Sequence, residues 1–364
     1  MILYILFVII VLIQVLFYGY LFSKFSFANK PKSTFQDIPA SIIIACKNEA
    51  INLEKNLPFI INQTFSVFEI ILIDDASTDA TASIIKKFAG QYPFVKALTI
   101  PKNTSYRGNK KKALSLGISQ ASYEHLVFTD ADCKPHSKYW LRDMVSGFNN
   151  RTKIVVGYGP YQKKNGFLNQ LIRYETLLTA WQYFSYALSG IPYMGVGRNL
   201  AYTKSLFQQA QGFTSHQQVL SGDDDLFISQ IATRDNVALC WSQESFMYSP
   251  PEANFSDWIA QKRRHITTAT HYRSIHKLLL VLFYVSQFLF YALFMVLLWQ
   301  GFRIKQVFFL LGIRYFFYYL NLIPVAYKLD EKDIILPAPF LELYLIVIQL
   351  RIFMANLWQQ PKKW

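Results

Sequence analysis

Residues 125–133 read His-Leu-Val-Phe-Thr-Asp-Ala-Asp-Cys. A short apolar run stops abruptly at two carboxylates, Asp130 and Asp132. An unbroken apolar run is what a strand buried on both faces requires. Acids just past its end stand where parallel sheets bind ligands. Working outward, the same grammar repeats. Residues 41–45 form an apolar, β-branched run leading into Cys46-Lys47-Asn48-Glu49, and residues 68–73 form another ending at Asp74-Asp75. A further strand is expected over 95–100. Helical segments over 49–63, 78–91 and 111–119 fall between these runs. The βαβαβ rhythm predicts an α/β fold with a mostly parallel sheet and covering helices.

The ends of the chain read differently. Hydrophobic residues make up 52% of the 364 residues and charged residues 16%, because long apolar runs flank the mixed middle. Residues 2–22 are long enough to span a bilayer. They lack the basic leader and small-residue cleavage site of a signal peptide. Apolar stretches return over 278–299, 307–327 and 334–358, about three further spans. The second carries Arg314, Asn321 and Pro324, and is expected to be tilted, kinked or re-entrant. The expected organisation is a membrane helix over 1–23, a globular domain over 34–254, an interfacial helix over 255–277 and membrane helices over 278–358. Residues 168–186 are rich in aromatics (Tyr174, Trp181, Tyr183, Phe184, Tyr186) and fit either an interfacial helix or ordinary core packing.

The formal net charge is +14. The basic residues are scattered and collect beside the apolar runs, at Lys24, Lys30 and Lys32, and at Lys262, Arg263, Arg264, Arg273 and Lys277. That pattern suits anionic lipid headgroups better than nucleic acid, and it puts the middle of the chain on the cytoplasmic side. The three cysteines, Cys46, Cys133 and Cys240, show no CxxC spacing, so neither a disulfide framework nor a zinc site is expected.

Five clusters carry chemistry. Asp130 and Asp132 can converge on one hard divalent cation. Mg2+ and Mn2+ prefer oxygen ligands and bridge readily to substrate phosphates. Cys46–Glu49 and Asp74–Asp79 lie at adjacent strand ends and offer acceptors for a base and ribose. Ser77-Thr78-Asp79 also reads as a helix cap, but capping leaves Asp74 and Asp75 unexplained. Arg107-Gly108-Asn109-Lys110-Lys111-Lys112 puts cations at a helix N-terminus, where the dipole disfavours them unless an anion binds. Gly222-Asp223-Asp224-Asp225 opens an apolar helical pattern. One of its acids suits a general base, and the others suit capping. Gln261-Lys262-Arg263-Arg264-His265 offers arginines for a diphosphate or, equally, a membrane anchor.

Taken in order, "IIIACKNEA", "ILIDDASTD", "GNKKKALSLG", "VFTDADCKP", "GVGRNLAY", "GDDDLFI" and "QKRRH" resemble the membrane-bound, inverting family 2 glycosyltransferases. The resemblance implies a GT-A fold, Rossmann-like, facing the cytoplasm of a bacterial-type inner membrane. It implies that Cys46, Asn48, Glu49 and Asp75 hold the donor nucleoside, with Lys110 nearby, and that Asp130 and Asp132 bind Mg2+ or Mn2+. Aligned on Gly222, the family's base falls on Asp224, with Asp223 as the other choice. The family's QxxRW motif falls on Gln261 and Arg264, with His265 in place of the tryptophan. An acceptor is implied near Gly195, Gly197, Asn199 and His265.

The expected activity is metal-dependent hexosyl transfer from a nucleotide-sugar, which the resemblance implies is UDP-linked, to a lipid or lipid-linked acceptor. A processive polysaccharide synthase is the rival enzyme reading. A non-catalytic nucleotide-sugar-binding subunit is the rival of another class, and it would be expected to lack one of the acids. A transporter is disfavoured because the charged motifs lie in the globular middle.

Overall fold

The computed structural model describes residues 1–30, 37–101, 109–219 and 221–358. Arg107, Gly108, Lys32 and the expected domain start at 34 lie outside them. The chain forms two compact units.

The first unit comprises residues 30–162 and 192–251. Its strands are β1 (Ala40–Cys46), β2 (Phe68–Asp74), β3 (Val95–Thr99), β4 (His125–Phe128), β5 (Lys134–Pro135), β6 (Ile154–Gly157), β7 (Leu200–Thr203), β8 (Val237–Cys240) and β9 (Met247–Tyr248). Seven of them form one sheet in the order β3-β2-β1-β4-β7-β6-β8, and β5 pairs with β9. The pairs β1–β2, β1–β4 and β2–β3 are parallel, as the βαβαβ rhythm requires; β7 runs antiparallel to β4 and β6. Ile42, Ile43 and Ile44 of β1 are fully buried, which is why this strand has no polar alternation.

The strand order turns from β1 back to β4, so loops at their carboxyl ends flank a crevice. The helix Lys110–Gln120 is held close over this edge. A Cβ on Gly117 would lie 2.7 Å from Ile73 Cδ1 and 2.9 Å from Ile43 Cγ2, so only glycine lets the helix approach the sheet this closely.

The second unit comprises residues 1–29, 163–191 and 252–363. Among its described residues, Ile2–Ser26, Ser274–Trp299, Ile304–Lys328 and Ala338–Asn356 are long and apolar enough to cross a membrane. The second of the C-terminal spans is a continuous helix, neither re-entrant nor broken, although Pro324 lies inside it. Its polar residues face inward: Arg314 and Asn321 are buried. Arg314 pairs with Glu342, and Glu342 also accepts from Gln287 Nε2 (2.7 Å), Tyr291 Oη (2.7 Å) and Tyr18 Oη (3.1 Å). Three other helices thus supply the partners that allow an arginine inside an apolar bundle.

The aromatic helix runs Phe167–Leu188 and packs as core: Tyr174, Trp181, Tyr183, Phe184 and Tyr186 are all buried. Trp181 Nε1 and Ser185 Oγ donate to the Phe22 carbonyl at 3.0 and 3.2 Å. Residues 163–191 therefore belong with the membrane helices and not with the globular residues on either side of them. The helix expected over 255–277 stops at Ile266, and a new helix begins at Ser274.

Candidate functional site

The loops after β1 and β2 are laced together by their own polar groups. Asn48 Oδ1 accepts from Thr78 N (2.8 Å), Ser77 Oγ accepts from Asn48 N (3.0 Å), and Thr81 Oγ1 accepts from Glu49 N (2.8 Å). Asn48 and Ala76 sit in the left-handed region, at φ 57° and 56°. Asparagine tolerates this conformation; alanine there stores strain of about 1 kcal/mol or more. Asp75 is buried at the end of β2, and its Oδ2 accepts from Asn109 N at 2.9 Å. That bond joins the second strand end to the start of the helix Lys110–Gln120. Asp74 instead turns onto Ser77 N at 3.1 Å, as a local turn cap.

Lys110 lies at the centre of the acidic cluster. Its Nζ is 2.9 Å from Asp130 Oδ1 and 3.1 Å from Asp223 Oδ2. Burial opposes the ammonium, but Asp130, Asp223 and Asp224 outweigh it and hold the Lys110 pKa well above the ordinary value. Lys110, Asp130, Asp223 and Asp224 line one cleft with Thr129, Gly197 and Tyr202. Thr129 Oγ1 is buried there and, among the described residues, has no hydrogen-bond partner.

Asp224 caps the helix Asp225–Ile231. Its Oδ1 accepts from Asp225 N and its Oδ2 from Gly197 N, both at 2.7 Å. Burial first, then the Asp223 and Asp225 charges, push its pKa up to about 7, against the pull of Lys110 and a backbone N–H. Each oxygen keeps a lone pair beyond its backbone bond. Asp223, the other expected base, pairs through its Oδ2 with Lys110 Nζ at 3.1 Å. Gly222, at φ 94°, turns the chain into this acidic corner, and a Cβ there would strike Leu226 Cδ1 at 2.6 Å.

The residues after β4 fit a divalent cation. Ligand atoms of Asp130, Asp132 and Cys133 lie within 4.8 Å of one another. Burial first, then Asp130, raises the Asp132 pKa; burial first, with Asp132 and Asp130 among the other causes, raises that of Glu49. A cation would relieve this repulsion. Cys133 is buried, and burial followed by those same acids pushes its thiol well above the ordinary range. It therefore remains a thiol, and its Sγ donates to Asp132 Oδ1 at 3.1 Å. The hard-ion ligands are the carboxylates, with the thiol supporting one of them.

Two expected side-chain contacts are corrected by burial. Asn199 is 0% exposed. Its Nδ2 donates to Tyr158 O (2.7 Å) and Ser245 O (2.8 Å), and its Oδ1 accepts from Trp140 Nε1 (2.9 Å), so no atom of the amide is left for an acceptor sugar. Cys46 points into the core, its thiol 3.6 Å from Ile44 O, so only its backbone can face a donor. Gly195 is buried, whereas Gly197 lines the cleft. Gln261, Arg264 and His265 lie on the helix Phe255–Ile266 of the membrane unit, where Gln261 Nε2 donates to Glu252 Oε1 at 3.1 Å.

Arg198 was not singled out by the sequence reading. Its Nε donates to Gly159 O at 2.9 Å, its guanidinium lies 4.4 Å from the Tyr161 ring centre, and its charge lowers the Asp132 pKa. A lone arginine within the otherwise uncharged stretch 189–203 was the available signal. Tyr202, stacked on Phe128 at 4.3 Å and lining the cleft, carried no signal beyond its place in a strand.

Comparison with known proteins agrees with this geometry. The model of glycosyl transferase family 2 matches residues 41–210, and that of glycosyl transferase family group 2 matches residues 127–329, more than half of the chain. The probable glycosyltransferase YdaM of Bacillus subtilis is 25% identical over 234 residues, 59% of this chain and 54% of that protein. The poly-beta-1,6-N-acetyl-D-glucosamine synthase of Staphylococcus aureus is 30% identical over 162 residues, 43% of this chain and 37% of that one. These matches span about half of the relatives' length or less. A mannosyltransferase from Pyrobaculum calidifontis, solved with GDP-Man and Mn2+, superposes with a TM-score of 0.58 at 17% identity, covering 91% of this chain and 95% of that one. At that identity the likeness is one of fold, and the fold is GT-A.

Proposed function

Because the chain belongs to glycosyl transferase family 2, we propose that it moves a sugar from a nucleotide-sugar to a hydroxyl of a lipid or lipid-linked acceptor, at the cytoplasmic face of a bacterial-type inner membrane. The carrying observation is the convergence, beside the carboxyl ends of the parallel strands β1, β2 and β4, of Asp75, Lys110, Asp130, Asp132 and a high-pKa Asp224.

Asp130 and Asp132 would hold Mg2+ or Mn2+, which supplies charge neutralisation for a departing diphosphate. Asp75 and the Asn48–Glu49 turn offer acceptors and backbone groups for ribose and base. Lys110, released from its present partners by the donor, contributes positive charge where the leaving group departs. Asp224, fixed by Gly197 N and Asp225 N, takes the proton of the acceptor hydroxyl. Thr129 Oγ1 offers an unspent hydroxyl to whatever enters. Attack from the face opposite the diphosphate inverts the anomeric centre. Gly197, which lines the cleft beside Asp224, would face the acceptor.

The test is a panel of UDP- and GDP-sugars with purified protein, Mn2+ or Mg2+, and a lipid extract as acceptor. Metal-dependent release of one nucleotide with a single new glycolipid is the expected outcome. A ladder of long glycans would move the reading to a polysaccharide synthase, a class to which the Staphylococcus relative's name belongs. Tight donor binding without turnover would favour a non-catalytic subunit.

A further inference from the structure

The three lysines that open the helix Lys110–Gln120 are separated by about 100° of helix rotation each, so they point in three directions. Lys110 enters the cleft and Lys112 is exposed. Lys111 is only 4% exposed, and its Nζ donates to two backbone carbonyls, His216 O at 2.6 Å and Val219 O at 2.7 Å. These carbonyls belong to the segment that leads into Gly222 and the acidic corner.

Burying an ammonium is costly unless it is paired or hydrogen-bonded. Here carbonyl oxygens receive it, with the charges of Asp223, Asp225 and Asp224 nearby. A bond to a backbone carbonyl fixes the chain itself, not a rotatable carboxylate. The carbonyl of Val219 is three residues before Gly222, where the φ of 94° sets the direction of the acids that follow.

We infer that Lys111 is a positioning residue: through His216 O and Val219 O it pins the loop that aims Asp224, so two adjacent lysines of one helix turn serve the site in different ways. This rests on the assignment of Asp224 as base, but the anchoring itself can be measured without it. Misplacing a reacting group by about 1 Å costs on the order of a hundredfold in rate.

The experiment uses detergent-purified full-length protein. Lys111→Met should speed hydrogen–deuterium exchange across residues 214–226. It should lower kcat by about tenfold to a hundredfold while leaving the donor KM near its original value. Lys111→Arg, which can reach the same carbonyls, should restore most of both. If Lys111→Met does not accumulate, Lys111→Gln, able to serve one carbonyl, is held to the same criteria. Unchanged exchange over 214–226 overturns the inference whatever the activity does. Faster exchange with unchanged kcat overturns it too, because the loop would then not need pinning for the reaction. Failure of the base assignment would show separately, as full turnover in Asp224→Asn.

Discussion

The pKa of Asp224, pushed up to about 7, makes a prediction that needs no mutation. A general base works only in its ionised form, so the sign is fixed: kcat/KM rises with pH and levels off above about 7. At pH 6 about a tenth of Asp224 is ionised and at pH 5 about a hundredth, so the rate falls roughly tenfold per pH step on the acid side. A carboxylate near its ordinary 3.8 would show almost no fall over that range. The assay is initial-rate nucleotide release at saturating Mn2+ and low donor, between pH 5 and 8.5, with the folded fraction monitored at each pH. Lys110→Met adds a second arm. Lys110 lowers the Asp224 pKa, so its loss should shift the acid limb to higher pH as well as weaken donor use. Asp224→Asn should lower kcat by about 10²- to 10⁴-fold and leave a flat profile. That variant is not a clean isostere, since both carboxylate oxygens accept backbone N–H groups and the amide nitrogen would face one of them. A wild-type rate that stays level from pH 8 to pH 5.5 would refute the reasoning, because an unperturbed or uninvolved carboxylate is the only one consistent with it.

Other outcomes follow from the same geometry. Asp130→Asn and Asp132→Asn should each lower Mn2+-dependent turnover by at least about a hundredfold, read by metal titration of nucleotide release, because the pair would lose half of its charge. Asn199→Ala should act on stability rather than on acceptor use. It strips Trp140 Nε1 of its acceptor and the Tyr158 and Ser245 carbonyls of a donor, for a cost of about 2–4 kcal/mol in a melting experiment, with acceptor KM unchanged in the folded fraction. Glu342→Gln leaves Arg314 charged and buried in the membrane bundle, and should cost about 3–5 kcal/mol, visible as a lower melting temperature in detergent.

What could be read in advance, and what could not, divides along one physical line. β1, β2 and β4 were legible because a strand buried on both faces must be apolar throughout, and each such run ends in conspicuous polar residues. The helices Ala50–Ile61, Thr81–Gln91 and Lys110–Gln120 followed from short-range periodicity for a similar reason. Features decided by partners distant in sequence were not legible. The aromatics of the helix Phe167–Leu188 suit an interface or a core equally well. Their role is settled by Phe22 and Phe25 of the N-terminal segment, which pack tilted against Trp181 and Phe184 with ring centres 5.0 and 4.7 Å apart. Arg314 reads in the sequence as a break in a span, and Glu342, Tyr18 and Gln14 on other helices receive it as a core residue. Asn199 lies two residues after Gly197 in a stretch expected to meet the acceptor, yet Trp140 and two carbonyls from separate loops use its whole amide. The lysine pair carries the point furthest. Lys110 and Lys111 are chemically identical neighbours in a polar run; the motif resemblance marks Lys110 and gives Lys111 no role. The helix rotation between them sends one ammonium to the carboxylates and the other to the carbonyls behind them. Motif reading identifies the kind of residue that a site uses; the turn of the helix decides which copy meets the substrate and which one holds the site in shape.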